Sequence, residues 1–380
     1  MSSGSPSPAV VSVSGFARGR FEPLADVLGR LAAAQGGGLA LAIRRDGEPV
    51  VDLVAGEYAS DSLQLIFSVS KSVTAIAAAL AHQEGLLDLD APLGDVWPEF
   101  AKPSTSMITT RMVLSHRSGL PAVDHELTLD ELVAGGEEAL LERQEPYWQP
   151  GTRHGYHAFT YGTFLDGVFR RTVGTRVGEF VADRLSGPLG LDLWIGAPEE
   201  VYDRIHSVAW GMPRTTADRA ARATAPGGIP PGSTGRLARR MDVYNDPRTY
   251  RAGWPSSSGI ADARSLAALF SAVLDDGVIL TSATRAEMVA SRARGEDAVL
   301  GVPMHYGSGV QLAFPAFPLL GPTSFGHEAA GGSAAFADPE GGLSVGFTTS
   351  VAPQIGGAAP AFLALLPVIR HCLTADATTI

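Results

Sequence analysis

Apolar residues recur along this chain with two different periods, and the change between the periods outlines its organisation. Residues 21–34 repeat apolar side chains at helical spacing, and two apolar runs follow at 39–44 and 49–54. The link between those runs reads Arg45-Asp46-Gly47-Glu48, and Asp-Gly is typical of a tight turn between paired strands. We therefore expect a helix followed by an antiparallel hairpin.

Helical spacing dominates the middle of the chain, whereas strand patterns return in its last third. After a boundary stretch at 87–92, strand signals are sparse to about residue 250, and residues 225–235 form a loop by their Gly and Pro content. Beyond the first helix, the pattern predicts helices at 68–85, 109–114, 127–143, 159–171, 177–185, 261–274 and 358–370. It predicts strands at 306–314, 325–333, 333–337 and 343–349.

Strands at both ends with helices between them indicate an α/β (α+β) protein. We expect an antiparallel sheet flanked by helices, with an all-α domain inserted between its two halves. The α/β domain is assigned to residues 16–90 and 251–380, the inserted domain to 91–250, and a disordered N-terminus to 1–15.

Composition narrows the class of protein. The 380 residues carry a net charge of −11 with a pI near 5.3, which argues against nucleic acid or an anionic membrane as a partner. The apolar stretches at 73–81 and 358–369 are too short to span a bilayer, and residues 1–8 lack the basic and apolar segments of a signal peptide. Cys372 is the only cysteine, so no intrachain disulfide or cysteine metal cluster is possible. We expect a cytoplasmic monomer or homodimer without cofactor or metal.

The pair Ser68 and Lys71 is the first candidate for chemistry. Three residues apart on a helix, the two side chains share one face. A serine hydroxyl needs a neighbour that accepts its proton, and a lysine in apolar surroundings is pushed towards the neutral amine that can do so. The chain keeps only two lysines, Lys71 and Lys102, beside 27 arginines, which cannot play this part. Ser-x-x-Lys also arises by chance, and a helix surface without function is the alternative.

Two further segments carry reactive side chains. Residues 145–162 combine aromatics and histidines in a turn-rich stretch, from which a tyrosine could face Ser68 and Lys71. A phenol beside an ammonium would have a lowered pKa and could shuttle a proton; the alternative is a buried aromatic corner. His327 lies among small residues on a strand, where a lone histidine more often has a purely structural role. His-Glu-x-x-His and phosphate-binding glycine loops are absent from the sequence.

Taken together, an ordered set of motifs resembles the serine β-lactamase and penicillin-binding-protein superfamily. The closest likeness is to the class C β-lactamase-like carboxylesterases called family VIII, and it spans about residues 20–372. The motifs are Phe67-Ser68-Val69-Ser70-Lys71, Leu87-Asp88-Leu89-Asp90-Ala91-Pro92, Leu114-Ser115-His116-Arg117-Ser118-Gly119-Leu120-Pro121, Pro150-Gly151-Thr152-Arg153, Pro188-Leu189-Gly190-Leu191, Gly326-His327 and Asp338-Pro339.

The resemblance implies roles for particular residues in a cleft between the two domains. Ser68 would be the nucleophile, Lys71 and Tyr156 would manage its proton, and Tyr161 would be a packing residue. The backbone N–H groups of Ser68 and Ala330 would form the oxyanion hole. The substrate-binding candidates are His327, Trp148 and Trp254.

Two departures from the family pattern bear on substrate. Many relatives have Tyr-Ser-Asn where this chain has Tyr156-His157-Ala158. Where it has His327-Glu328-Ala329, the β-lactamases have Lys-Thr-Gly and the esterases have His-x-Gly or Trp-x-Gly. Between Arg294 and Arg370 there is no lysine or arginine to bind a substrate carboxylate. We therefore expect hydrolysis of short-chain neutral carboxylic esters through an acyl-enzyme on Ser68. The alternatives are a β-lactamase or D-Ala-D-Ala peptidase, an acyltransferase, and a non-catalytic binding protein.

Overall fold

Strands and helices of the computed structural model are described for residues 11–211, 241–353 and 357–374. The strands are β1 (Val13–Ala17), β2 (Gly38–Arg45), β3 (Glu48–Gly56), β4 (Leu63–Phe67), β5 (Leu193–Ile195), β6 (Ile205–His206), β7 (Ala209–Trp210), β8 (Gly259–Ala261), β9 (Ala293–Glu296), β10 (Pro303–Tyr306), β11 (Gln311–Leu312), β12 (Phe325–Glu328), β13 (Ala334–Asp338), β14 (Leu343–Thr349) and β15 (Val351–Ala352). The α-helices are α1 (Pro23–Gln35), α2 (Val69–Gln83), α3 (Thr110–Leu114), α4 (Leu129–Val133), α5 (Gly136–Leu141), α6 (Thr160–Thr172), α7 (Val177–Val181), α8 (Gly187–Leu189), α9 (Met241–Tyr244), α10 (Pro247–Ala252), α11 (Ala263–Leu274), α12 (Ser282–Val289) and α13 (Pro360–Thr374).

The main sheet joins the two ends of the chain. Its strand order is β1-β3-β2-β14-β13-β12-β11-β10-β9, and neighbouring strands pair antiparallel. At its centre β2 pairs with β14 from Arg45 opposite Leu343 to Leu39 opposite Thr349. A smaller sheet, β5-β8-β4-β6, lies beside it and leads into α2. The candidate site residues thus come from both halves of the chain, with Ser68 and Lys71 at the start of α2 and His327 on β12.

The two faces of the main sheet are covered by different helices because the side chains of β2 alternate in size. Leu39, Leu41 and Ile43 pack in one core with residues of α1 and α13. Ala40 and Ala42 point to the other face, where they pack against α11. Small side chains there let the helix come close to the sheet. The alternation of large and small residues therefore builds a helix–sheet–helix sandwich.

Most of the predicted elements are confirmed. The fold class is the expected one, an antiparallel sheet flanked by helices. The Asp-Gly hairpin is present, with φ of 51° at Asp46 and 82° at Gly47, as a two-residue turn of this type requires. The strand predicted at 343–349 has those bounds in the structure. No helix in the described parts of the chain is long and apolar enough to cross a membrane.

Four predicted elements need correction. The helix expected at 127–143 is two short helices, α4 and α5, because Gly135 adopts a left-handed conformation between them. The strand at 306–314 is divided into β10 and β11 by a turn in which Gly309 has a φ of 84°. The strand at 325–333 ends at Glu328 and passes into a turn. Residues 177–185 are helical, but the second part, Ala182–Ser186, is a π-helix.

The predicted domain boundaries stay a prediction, although two details of them differ from the structure. Residues 13–15 belong to β1 and pair with β3, so the N-terminal segment is not disordered as far as residue 15. The segment 91–250 is not entirely helical where it is described, since β5, β6 and β7 lie within it. The loop predicted at 225–235 lies outside the described residues.

Candidate active site

Ser68 stands at a sharp turn between a strand and a helix. β4 ends at Phe67 and α2 begins at Val69, which leaves Ser68 as the residue before the helix. Phe67 has a φ of 46°, a left-handed conformation that residues with a side chain rarely adopt. Ser70 holds this turn, because its Oγ donates to the Phe67 carbonyl at 2.5 Å and accepts from the Gly259 N–H at 2.9 Å. The Ser68 side chain does not cap the helix, so its hydroxyl remains available for chemistry.

Lys71 lies one turn after Ser68 and is completely buried. Its Nζ is 3.4 Å from Ser68 Oγ and donates two hydrogen bonds of 2.8 Å, to the main-chain oxygens of Ala158 and Ser256. Burial lowers the pKa of this amine well below its ordinary value. A neutral amine has two N–H groups and one lone pair. Because both N–H groups are used by carbonyl oxygens, the lone pair is left for the Ser68 hydroxyl.

Tyr156 completes a group of three around the serine. Lys71 Nζ lies 4.8 Å from the centroid of the Tyr156 ring. Burial raises the pKa of Tyr156 well above its ordinary value, while a hydrogen bond with Ser68 works in the opposite direction. The expectation of a lowered pKa is therefore wrong. It assumed that a neighbouring ammonium would have the largest effect, whereas burial of the phenol itself has the largest effect on its pKa. The phenol keeps its proton near neutral pH and can donate it.

Tyr161 has a different environment from Tyr156. It is fully buried, and its hydroxyl donates to the main-chain oxygen of Lys71 at 3.0 Å. Its hydroxyl is thereby committed to the backbone of α2. The packing role implied by the sequence agrees with this contact.

Two buried histidines support the turn that carries Tyr156. His157 Nδ1 donates to the Gly155 oxygen at 2.6 Å, and its Nε2 lies 2.6 Å from Ser118 Oγ, from which it accepts. The His157 N–H in turn donates to His116 Nδ1 at 3.1 Å. Burial lowers the pKa of His157 to about 3 and that of His116 well below its usual range. Both rings are therefore neutral, and their nitrogens are used to fix the backbone beside Tyr156.

His327 faces Tyr156 from strand β12. The centroids of the two rings are 6.0 Å apart. His327 Nδ1 donates to the Glu328 carbonyl, while its buried Nε2 has no partner among the described residues. Burial, with a smaller contribution from Lys71, lowers the pKa of His327 to about 3. The ring thus presents an uncharged acceptor nitrogen in the site rather than a cation.

The turn after β12 packs against the residue that precedes the serine. Gly331 packs on the Phe67 ring so closely that an added Cβ would lie 2.1 Å from Phe67 Cδ2. Neither Ser68 nor Ala330 gives its N–H to an acceptor within the described part of the chain. The Ala329 methyl group, which replaces the glycine of relatives, is buried in the hydrophobic core.

The two tryptophans lie on the flanks of this group. Trp148 braces the turn before Tyr156, with its Nε1 donating to the Arg153 oxygen at 3.1 Å. Trp254 is half-buried and packs against Phe159. Trp254, Phe159 and Ser256 belong to the lining of a cavity of about 740 Å³. Ser68, Lys71 and Tyr156 do not line this cavity. Contact of either tryptophan with substrate stays a prediction.

Sequence reasoning missed two residues of the site. The Tyr244 ring lies 4.5 Å from that of Phe67, next to the nucleophile. The Asp297 carboxylate accepts from the Tyr156 N–H at 3.0 Å. Tyr244 and Asp297 are each far along the chain from the residue that they contact. No motif in the sequence links them to that residue.

Comparison with known proteins agrees with this geometry. Residues 24–366 match the family described as Beta-lactamase. The chain belongs to the beta-lactamase family. The match includes the Ser68 turn, the Tyr156 turn and β12, so all three segments of the site lie within the family's domain.

Individual relatives confirm the resemblance. The protein named Esterase/beta-lactamase LipL, from Mycobacterium tuberculosis, is 28% identical over 343 residues, which cover 81% of this chain and 76% of that protein. A family VIII carboxylesterase has a structure similar to this one with a TM-score of 0.85 and 26% identity, covering 95% of this chain and 100% of that one. A penicillin-binding protein homologue from Caulobacter crescentus has a TM-score of 0.83 and 30% identity, with coverage of 95% and 100%.

Proposed function

We propose that this beta-lactamase family member is a serine hydrolase that cleaves short-chain neutral carboxylic esters through an acyl-enzyme on Ser68. The observation that carries the proposal is the buried Lys71 amine, 3.4 Å from Ser68 Oγ, with its N–H groups directed at two carbonyl oxygens. A lysine in this state is a base and not a surface charge.

Acylation would follow from the contacts around Ser68. Lys71 takes the Ser68 proton as Oγ attacks the ester carbonyl carbon, and the N–H groups of Ser68 and Ala330 stabilise the oxyanion. Tyr156 donates its proton to the departing alkoxide and recovers a proton from Lys71. Water then attacks the acyl-enzyme with the same groups in reverse order, which releases the acid and restores Ser68.

The charges of the site support neutral substrates. β-Lactams and D-Ala-D-Ala peptides carry a carboxylate, which calls for a cation in the site. His327 is neutral because its pKa lies at about 3, and the adjacent Glu328 is acidic. Burial raises the pKa of Glu328, and the charge of its ionised form adds to the effect of burial on the pKa of Tyr156. A substrate carboxylate would therefore meet no cation here, and an ionised Glu328 would repel it.

Bulky neighbours of the serine support a short acyl group. Tyr156 and Tyr244 lie beside the Phe67–Ser68 turn, and Tyr244 packs directly on Phe67. Long acyl chains would have to pass these rings. The relatives are consistent with ester chemistry, since one is named an esterase/beta-lactamase and another a family VIII carboxylesterase. An acyltransferase would use the same acyl-enzyme, and a non-catalytic binding protein would have no need of the buried Lys71 base.

A direct assay separates the candidate reactions. Purified protein is given p-nitrophenyl acetate, p-nitrophenyl butyrate and the cephalosporin nitrocefin, with the Ser68→Ala variant as the control. We expect turnover of both esters, background rates for the variant, and much slower opening of nitrocefin. Nitrocefin hydrolysis as fast as ester hydrolysis would overturn the choice of neutral esters, and equal ester turnover by Ser68→Ala would overturn the nucleophile.

A further inference from the structure

We propose that Asp297 is the positioning residue of Tyr156, holding the phenol in place over Ser68 from a loop at the edge of the main sheet. This inference rests on the proposed function of Tyr156. Asp297 follows β9, is completely buried, and lies 141 residues from Tyr156 along the chain. Burying a carboxylate destabilises the folded state unless its oxygens accept hydrogen bonds.

The Asp297 carboxylate binds the backbone of Tyr156 and of its own loop together. Its Oδ1 accepts from the N–H groups of Tyr156 at 3.0 Å, Val299 at 2.9 Å and Leu300 at 2.9 Å. Its Oδ2 accepts from the Tyr306 hydroxyl at 3.3 Å. One side chain thus fixes the loop after β9 and joins that loop to the residue that carries the phenol.

A second contact makes the attachment rigid. The Ala298 N–H donates to the His154 carbonyl at 3.0 Å, so the loop binds the Tyr156 turn at two points. Between those points Gly155 is packed so tightly that an added Cβ would lie 2.9 Å from Val299 Cγ2. Two hydrogen bonds on either side of a close contact leave the turn little freedom to move.

The same turn is held from its other side by His116. The Gly155 N–H donates to the His116 carbonyl at 3.0 Å, and the His116 ring lies 4.9 Å from the Tyr156 ring. Tyr306, the partner of Asp297 Oδ2, packs edge-on against His116 at 4.7 Å. Asp297 is therefore the acidic member of a buried frame around Tyr156, and removal of its carboxylate would leave the Tyr156 N–H without an acceptor in a dry environment.

The charge of Asp297 has a second effect on Tyr156. Burial is the main reason that the pKa of Tyr156 is raised, and the negative charge of Asp297 adds to it. The carboxylate thus places the phenol and also helps to keep its proton. The two effects can be separated, because asparagine retains an oxygen that accepts from the three N–H groups but lacks the charge.

A double-mutant cycle distinguishes positioning from general support of the fold. We expect Asp297→Ala to lower kcat for p-nitrophenyl butyrate by about a hundredfold, the scale of a misplaced catalytic group, with KM little changed. In the Tyr156→Phe background the same substitution should have almost no further effect. Asp297→Asn should recover most of the lost kcat. Asp338→Ala serves as the matched control, because Asp338 is a buried acid bound to Thr323 Oγ1 and has no contact with Tyr156.

Two results would overturn the proposal. Equal losses from Asp297→Ala with and without the Tyr156 hydroxyl would show that the residue supports only the fold. If the Asp297→Asn and Asp297→Ala variants both fold and both keep full activity, Asp297 does not position Tyr156. If Asp297→Ala does not fold, the cycle is run with Asp297→Asn, and additivity in that cycle counts equally against the proposal. Failure of the proposed function is distinguishable, since it shows as undiminished activity in Tyr156→Phe alone.

Discussion

Lys71 Nζ lies 3.4 Å from Ser68 Oγ, while both of its shorter hydrogen bonds go to main-chain oxygens. A protonated lysine usually pairs with a carboxylate, and no Asp or Glu of the described residues forms a salt bridge with Lys71. The surroundings therefore favour the uncharged amine. The consequences of this relationship can be measured on single variants.

Ser68→Ala should abolish ester hydrolysis and leave the melting temperature nearly unchanged, because the hydroxyl makes no structural cap at the start of α2. The measurements are p-nitrophenyl acetate turnover and thermal unfolding. A serine-reactive phosphonate should label Ser68 in the parent protein, as judged by mass spectrometry of peptides. A label on another serine would contradict the proposed nucleophile.

Lys71→Arg should be nearly as inactive as Lys71→Ala. The guanidinium keeps a positive charge but cannot give up a proton near neutral pH. In the parent, activity should rise with pH through the lowered pKa of Lys71 and then level off, because the neutral amine is the active form. Parent-like turnover in Lys71→Arg would show that only the charge matters.

Tyr156→Phe should lower kcat by about a hundredfold or more, the usual scale for loss of a general acid or base. Tyr161→Phe should lose about tenfold or less on the same scale, because its hydroxyl binds the Lys71 backbone. The two variants are matched, since each removes one phenol hydroxyl, and the two positions are five residues apart in the chain. The reverse order of effects would assign the proton transfer to Tyr161.

The protein should lose stability as the pH falls below neutrality. Folding lowers the pKa of His157 from 6.5 to about 3, so in that window the unfolded chain binds a proton that the folded chain does not. The stability from this histidine is complete above 6.5 and declines towards 3. Thermal unfolding at a series of pH values should show the decline, and His157→Gln should make it shallower. A melting temperature that is constant across this window would contradict the buried neutral ring.

The pattern of apolar and turn residues predicted correctly those elements whose structure is decided by residues close to them in the sequence. β14 was predicted with its observed bounds because apolar residues alternate with small or polar ones between two turns, which is the period of a strand. The hairpin at Asp46-Gly47 was predicted because Asp-Gly is typical of a tight turn between paired strands. The 127–143 helix failed at Gly135, whose left-handed conformation depends on how α4 and α5 pack and not on apolar spacing.

The site could be predicted only where its residues lie in motifs. Ser68 and Lys71 are three residues apart, so helical geometry brings them together. Asp297 meets Tyr156 only after the sheet has formed, and nothing near Asp297 in the sequence signals it. The direction of the Tyr156 pKa shift was wrong because burial, which the sequence does not reveal, acts on Lys71 and Tyr156 at once.

The central pairing of β2 with β14 has a consequence for biosynthesis. These strands are about 300 residues apart in the chain, and contacts of such long range form slowly. At the usual rate of translation, the ribosome synthesises β14 roughly 15 to 60 s after β2. During that time Ser68, Lys71 and Tyr156 already exist as polypeptide, but β12 to β14 do not. Ribosome-stalled chains that end before β12 should therefore show no esterase activity, and release of the full-length chain should be the step at which activity first arises.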